Sequence, residues 1–373
     1  MQRALVWIVV PWLAACGRFA FDAVGSPAGD DEPPVGGCPL ALNLDRTQLQ
    51  EQLVDFPLLV RLGSEHVDRT RLQPDARNLE FFLDGAVLAY EIEDAGDPVL
   101  AWVRVPVLSG SGLVIRVGYG ARTAAAASQP VWSAAYAAVF HLAEPSGPPR
   151  DATGHYAAAS IAELGTTPIA TVPGRIGDGR GFQSIRNHAV QVDALDLRYS
   201  AFTVSGWMYE VVLPTAYHAL VTREHATGAD NFFWIGDHAG SYSGEVYRSS
   251  GGLLLNSNKP AAVNKWVHLA LGVTSAGVNS QATLFIDGGV DLIQSMDGLP
   301  PPGTERPIVL GADNNSGAAE PGVDLLDGRL DEVRIETVAR STEWVRADHL
   351  SMTDQLIRYE VLPTAVSCDA PGE

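Results

Sequence analysis

Along most of this chain, apolar and polar residues alternate in short runs, and clusters of Gly, Pro, Asn and Asp interrupt the runs. A period of two predicts strands with one buried face each. Phe56 to Leu62 is one such run. Asn78 to Leu83 and Val87 to Glu93 flank Asp84-Gly85. Asp-Gly between two strand-like runs predicts a type I′ hairpin, because that turn needs positive φ at both central residues. Val99 to Val107 and Leu113 to Tyr119 are expected to pair as well, with Trp102, Arg104 and Pro106 on one face of the first run and Val103, Val105 and Val107 on the other. Further on, Phe202, Val204 and Met208 alternate with Thr203, Ser205, Trp207 and Tyr209. Val267, Leu269, Leu271 and Val273 alternate with Trp266 and His268, and a hairpin is predicted at Asp287-Gly288-Gly289. From Thr337 the period becomes helical, with Val338, Trp344 and Val345 on one face and Arg340 and Glu343 outside. Gly-rich residues 177–181 precede no helix and are read as a turn rather than a phosphate loop.

These patterns predict an all-β protein: an antiparallel sandwich of jelly-roll type over residues 137–360, preceded by a smaller β-domain over 39–125. Residues 16–38 hold Gly, Ser, Pro and acidic side chains that bury no core, and are expected to be a flexible tether.

Family resemblances sharpen this reading. "VDFPLLVRL", "NLEFFLDGAVLAYEIE", "AWVRVPVL" and "VIRVGYG" resemble an uncharacterised β-domain of secreted bacterial and archaeal proteins that often precedes a laminin-G-like domain. Gly118 departs from that pattern, where the family usually carries an aromatic before Tyr119. That family has no established activity, so it implies a fold module and no chemistry. "FTVSGW", "WVHLAL", "LFIDG", "VLGA" and "DGRLDEVRI", in this order, resemble the laminin-G and concanavalin A-like jelly roll. That fold hosts lectins, glucanases and spacers alike, so it leaves function open.

The N-terminus looks like that of a bacterial lipoprotein. Arg3 precedes the apolar run Ala4 to Val10, which is too short to span a bilayer core of about 30 Å. Leu13-Ala14-Ala15-Cys16 then matches a lipobox, which implies lipidation at Cys16 and loss of residues 1–15. Gly17 in place of Asp implies sorting to the outer membrane, on its periplasmic or surface side. The alternative is an ordinary signal peptide that happens to contain a cysteine. Cys38 and Cys368 are the other two cysteines. In an oxidising compartment an even pair is expected to bond, closing a loop worth roughly 5 kcal/mol on the chain-entropy model; two free thiols are the alternative.

The net charge of −19 disfavours nucleic acid and electrostatic binding to anionic lipid, so a membrane contact would run through the lipid anchor alone. Calcium is the one cofactor the acidic balance admits. Domains similar to the second one often hold it, and the matching positions here are Asp151, in the Asp-Ala-Thr-Gly turn, and Asp331. Turn capping is the competing role for both. Ligand-gripping groups are expected in loops: Tyr242, Tyr247 and Arg248 in one, and Asp313, Asn314 and Asn315 in another.

Catalysis is not expected. In Asp331-Glu332-Val333-Arg334-Ile335-Glu336, simple alternation puts Glu332, Arg334 and Glu336 on one face. Arg334 then neutralises both glutamates, which leaves no acid/base pair. His141, His188, His225, His238 and His268 show no ligand spacing. The expected function is binding of glycan or protein ligands at the cell envelope. A non-binding spacer and a glycoside hydrolase-related enzyme are the alternatives.

Overall fold

The strands run in the order β1 (Cys38–Leu44), β2 (Leu53–Leu62), β3 (Leu79–Leu83), β4 (Ala86–Val87), β5 (Tyr90–Asp94), β6 (Val99–Leu108), β7 (Val114–Tyr119) and β8 (Tyr136–Phe140). They continue with β9 (Ile161–Leu164), β10 (Ala170–Pro173), β11 (Asp178–Phe182), β12 (Ala189–Val192), β13 (Phe202–Glu210), β14 (Tyr217–Arg223), β15 (Phe233–His238) and β16 (Ser241–Arg248). The last are β17 (Gly251–Pro260), β18 (Trp266–Thr274), β19 (Ser280–Ile286), β20 (Gly289–Met296), β21 (Ile308–Leu310) and β22 (Gly328–Glu336), then helix α1 (Thr342–Met352) and β23 (Ile357–Val366). The computed structural model describes residues 37–44, 49–108, 113–120, 130–156, 161–193, 201–224, 232–248, 250–274, 280–297, 307–313, 323–366 and 368. Cys16, Asn314, Asn315 and His225 lie outside the described residues.

Among the described residues these strands form an all-β architecture of four antiparallel sheets. Two build the first β-unit, in the orders β23-β1-β7-β3-β4 and β2-β6-β5. The expected pairing of Val99–Val107 with Leu113–Tyr119 is therefore corrected. β6 pairs with β2 and β5, whereas β7 pairs with β1 and β3, so the two strands belong to different sheets. Both strands are apolar on more than one face, and alternation alone does not say which partner covers which face. The Asp84-Gly85 hairpin forms as predicted, with φ of 49° and 79°.

The other two sheets form the sandwich. One runs β10-β11-β22-β13-β18-β19-β20, with β8 also on β22; the other runs β17-β16-β15-β14-β21-β12-β9. Phe202, Val204 and Met208 of β13, and Val267, Leu269, Leu271 and Val273 of β18, point into the core between these sheets as the alternation predicted. Each such burial is worth about 1.5–3 kcal/mol. The 177–181 turn is corrected to a strand: only Gly177 keeps positive φ, and β11 follows it directly.

The outward face of the β22 sheet is not left to water. Trp207 of β13 joins a core that also holds Trp102 of β6, Trp132, Trp344 of α1 and the apolar side chains of β2. From Gly36 onward the chain is one compact unit. α1 starts at Thr342 rather than near Thr337, because the Ser341 hydroxyl accepts from Trp344 N–H and fixes the N-cap there. Val338 and Arg340 consequently lie outside the helix. Ser351 of α1 accepts a hydrogen bond from Leu59 N–H of β2 at 2.8 Å. The chain closes on itself: β23 pairs with β1 through Leu44–Ile357 and Leu42–Tyr359, and Cys38 is bonded to Cys368. Residues 357–360, expected at the end of the second segment, thus sit in the first sheet.

Candidate functional sites

The seven-stranded sheet carries a small pocket on the face away from the sandwich core. Phe233 and Ile235 of β15 turn inward, which leaves Trp234 between them on the outer face opposite Glu245 of β16. Tyr217, Glu224, Trp234, Glu245, Tyr247 and Asp324 enclose about 90 Å³. Tyr217 stacks on His238 at 4.4 Å and meets Trp234 edge-on at 5.4 Å, which fixes the aromatic wall. The Tyr247 hydroxyl lies beside both the Glu224 and the Glu245 carboxyl groups and favours their charged forms.

The acids here are held above their ordinary range. Burial, then the neighbouring Asp313 charge, pushes Glu224 up to about 9. Burial and Asp313 likewise raise Asp324 to about 6. At neutral pH Glu224 is therefore a hydrogen-bond donor as well as an acceptor. Trp234 is only 2% exposed and Glu224 4%, yet Trp234 Nε1 and Glu224 Oε1 have no hydrogen-bond partner among the described residues. Buried polar groups ordinarily find partners, so these two atoms stand out among the described residues.

Of the loop residues expected to grip a ligand, the structure brings two together: Tyr247 and Asp313 meet around Glu224. Tyr242 is corrected. It is 5% exposed in the sandwich core, and its hydroxyl accepts from Ala262 N–H, because it lies on the inward face of β16. Arg248 turns away to pair with Asp297 at 3.1 Å.

A second cluster lies where the first β-unit covers β22. Simple alternation fails there because Glu332 has φ of 51° and the β13 pairing jumps from Trp207–Asp331 to Ser205–Arg334. This bulge keeps Leu330, Val333 and Ile335 in the core and turns Asp331 and Glu332 to the same outer side. Arg334 is buried there, not exposed. It pairs with Glu332 at 2.9 Å and Asp348 at 2.5 Å, and lies over the Trp102 and Trp132 rings. Glu336 pairs instead with Arg340. His141, just after β8, reaches Glu332 at 2.6 Å through Nδ1 and Glu91 at 2.8 Å through Nε2, with Glu93 at 3.6 Å. Sequence spacing gave no sign of this histidine, since its partners lie on β5 and β22. A cleft of about 410 Å³, lined by Glu91, Glu93, His141, Glu144, Arg150 and Asp151 among others, opens beside it.

Asp151 does not fit the calcium ligand expected of it, whereas Asp331 has one oxygen held and one without a partner among the described residues. The Asp151 carboxylate accepts from the N–H groups of Val139, Thr153, His155 and Tyr156 and from the Thr153 hydroxyl. Five donors exhaust the roughly four lone-pair positions of a carboxylate, so Asp151 caps its turn. Asp331 Oδ2 accepts from Arg175 and Ile176 N–H at 2.6 and 2.7 Å. Neither belongs to the group of potential metal ligands found among the described residues, which is Glu93, His141 and Glu332.

Residues 184–346 match the family model described as the concanavalin A-like lectin/glucanases superfamily, Laminin_G_3. No curated protein matches the chain. Among solved structures, the chain is similar to the binding domain of Paraclostridial mosquitocidal protein 1, at 18% identity and TM-score 0.45, covering 57% of this chain and 52% of that one. It is also similar to domain 4 of a GH43 extracellular arabinanase from Geobacillus stearothermophilus, solved with arabinotriose, at 18% identity and TM-score 0.43, covering 57% and 97%. A botulinum neurotoxin C/D mosaic receptor-binding domain matches at 13% identity and TM-score 0.43, covering 58% and 50%. This chain thus spans about half the length of the two toxin domains.

Proposed function

With residues 184–346 a concanavalin A-like domain, we propose that this protein is a non-enzymatic binding protein whose sandwich takes a neutral or amino sugar of a glycan in the pocket at Tyr217, Glu224, Trp234, Glu245 and Tyr247. The observation that carries this reading is the buried, unpartnered pair Trp234 Nε1 and Glu224 Oε1, set among aromatic rings on the open face of the sheet. A sugar offers vicinal hydroxyls that both donate and accept. The indole N–H would donate to one, and the carboxyl groups would accept from others. Binding would then relieve two desolvated groups, each costing about 1–3 kcal/mol while unsatisfied. Glu245, Asp324 and Asp313 beside Glu224 disfavour sialylated or uronic-acid glycans by charge repulsion.

The same acids do not support hydrolysis. Glu224 and Asp313 are both buried and crowd each other's charge, rather than flanking an open cleft as a hydrolytic pair does. The chain is further proposed to act outside the cytoplasm, tethered through a lipid on Cys16. The Cys38–Cys368 disulfide supports an oxidising compartment. The test is a glycan array probed with the mature chain. Saturable binding to neutral or amino-sugar glycans, absent from sialylated ones, is expected. Preference for sialylated glycans, or no binding at all, would refute the reading.

A further inference from the structure

The Glu93, His141 and Glu332 side chains place one carboxylate oxygen or ring nitrogen each within 4.8 Å of one another. They come from three distant segments: β5, the residue after β8, and the bulge of β22. The Glu93 and Glu332 side chains are 2% and 0% exposed. Among the described residues Glu93 Oε1 has no hydrogen-bond partner, and neither does Oδ1 of the adjoining, fully buried Asp331. The unshared Glu93 oxygen thus adjoins a hydrogen-bonded pair, His141 Nδ1 and Glu332 Oε1 at 2.6 Å, in which a cation could take the place of the shared proton.

The groups around this trio matter as much as the trio itself. Each candidate ligand has its other polar atom already held. Glu93 Oε2 accepts from Trp102 Nε1 at 2.7 Å, and Glu332 Oε2 from Arg334 Nη2 at 2.9 Å. His141 Nε2 faces Glu91 Oε1 at 2.8 Å, and that oxygen accepts from Trp132 Nε1 at 3.0 Å. A carboxylate on the far nitrogen of a histidine and hydrogen bonds on the non-ligating carboxylate oxygens are the outer supports that orient ligands at protein metal sites.

We propose that Glu93, His141 through Nδ1, and Glu332 bind one divalent transition-metal ion of the zinc class, which staples the first β-unit to the sandwich. An imidazole nitrogen with two carboxylates suits zinc or cobalt, and suits calcium, which takes oxygen alone, poorly. The ion replaces the proton on His141 Nδ1, which leaves to solvent through the adjoining cleft; Nε2–H stays on Glu91. No electron is transferred. Asp151, where calcium was expected, takes no part.

The test is titration of the metal-stripped mature chain with Zn²⁺ by calorimetry in buffers of differing ionisation enthalpy, and with Co²⁺ by visible absorption. One equivalent should bind, with proton release and a Co²⁺ spectrum of low coordination number, and the melting temperature should rise. Glu93→Gln keeps the acceptor for Trp102 and should fold, yet weaken binding at least tenfold. Glu93→Asp, which preserves charge but withdraws the oxygen by one methylene, should do the same, so loss of binding is separable from loss of fold. Absence of saturable binding, or Zn²⁺ affinity unchanged in both variants, would overturn the proposal.

Discussion

A methyl group added to Gly118 would stand 3.0 Å from Cys38 Sγ and 3.2 Å from Cys368 Sγ. A glycine at position 118 thus has a physical reason. The position lies beneath the disulfide that joins Cys38 of β1 to Cys368, beyond the end of β23. Contacts of that length require the bridge to give way, and overpacking in a closed site costs about 1–3 kcal/mol. Gly118→Ala is expected to lower stability by that amount in the oxidised protein, measured by urea denaturation. In the Cys38→Ser, Cys368→Ser background the same substitution should cost much less, and the difference is the coupling of the glycine to the bridge.

Arg334 is a buried cation held by Glu332 and Asp348 under two indole rings. Removing one partner of such a group strands charge in the interior, at about 3–5 kcal/mol. Arg334→Met should therefore destabilise strongly, because Glu332 and Asp348 stay behind. Arg334→Met combined with Asp348→Leu should recover part of the loss. A denaturation midpoint for the single variant within error of the parent would show that the cation does not hold this junction.

Asp237 is fully buried beside Glu210, which in turn faces His218 at 2.8 Å. Burial, then the Glu210 charge, raises Asp237 from 3.8 to about 7. The folded state consequently keeps a proton that the unfolded chain loses near pH 4. The stabilisation is complete below pH 4 and is lost as pH rises to about 7. Asp237→Asn should flatten the fall in stability between pH 5 and pH 8 by on the order of 2 kcal/mol, read from urea midpoints at the two values. An unchanged slope would place the proton elsewhere.

Much of the sandwich was legible in the sequence, because strands with one buried face advertise it. The alternations of β13 and β18 and the turns at Asp84 and Asp287 are visible in the residues themselves, and each forms as expected. The candidate sites were harder to see, for two reasons. The β22 bulge breaks the period of two at Glu332, so the acids there change face with no change in composition. His141, Glu91 and Glu93 meet only because a second β-unit packs on the sheet, which no local pattern encodes. Tyr247 was found as a loop aromatic but sits on a strand; its neighbour Trp234 was missed because its strand reads as simply apolar.

Cys16→Ser tests the proposed anchor. The parent should incorporate labelled fatty acid and sediment with membranes, and the variant should do neither. Membrane partition that persists in the variant would mean that something other than the lipobox tethers the chain.

The most direct measurement is calorimetric titration of the mature protein and its Tyr247→Phe and Glu245→Gln variants with a neutral oligosaccharide selected from an array. Tyr247→Phe removes the hydroxyl beside Glu224 and Glu245, and Glu245→Gln removes one acceptor. Each should weaken binding by about tenfold, on the order of 1.4 kcal/mol, with melting temperature little changed. Affinity for the oligosaccharide that is identical in parent and variants would place glycan binding elsewhere and contradict the account.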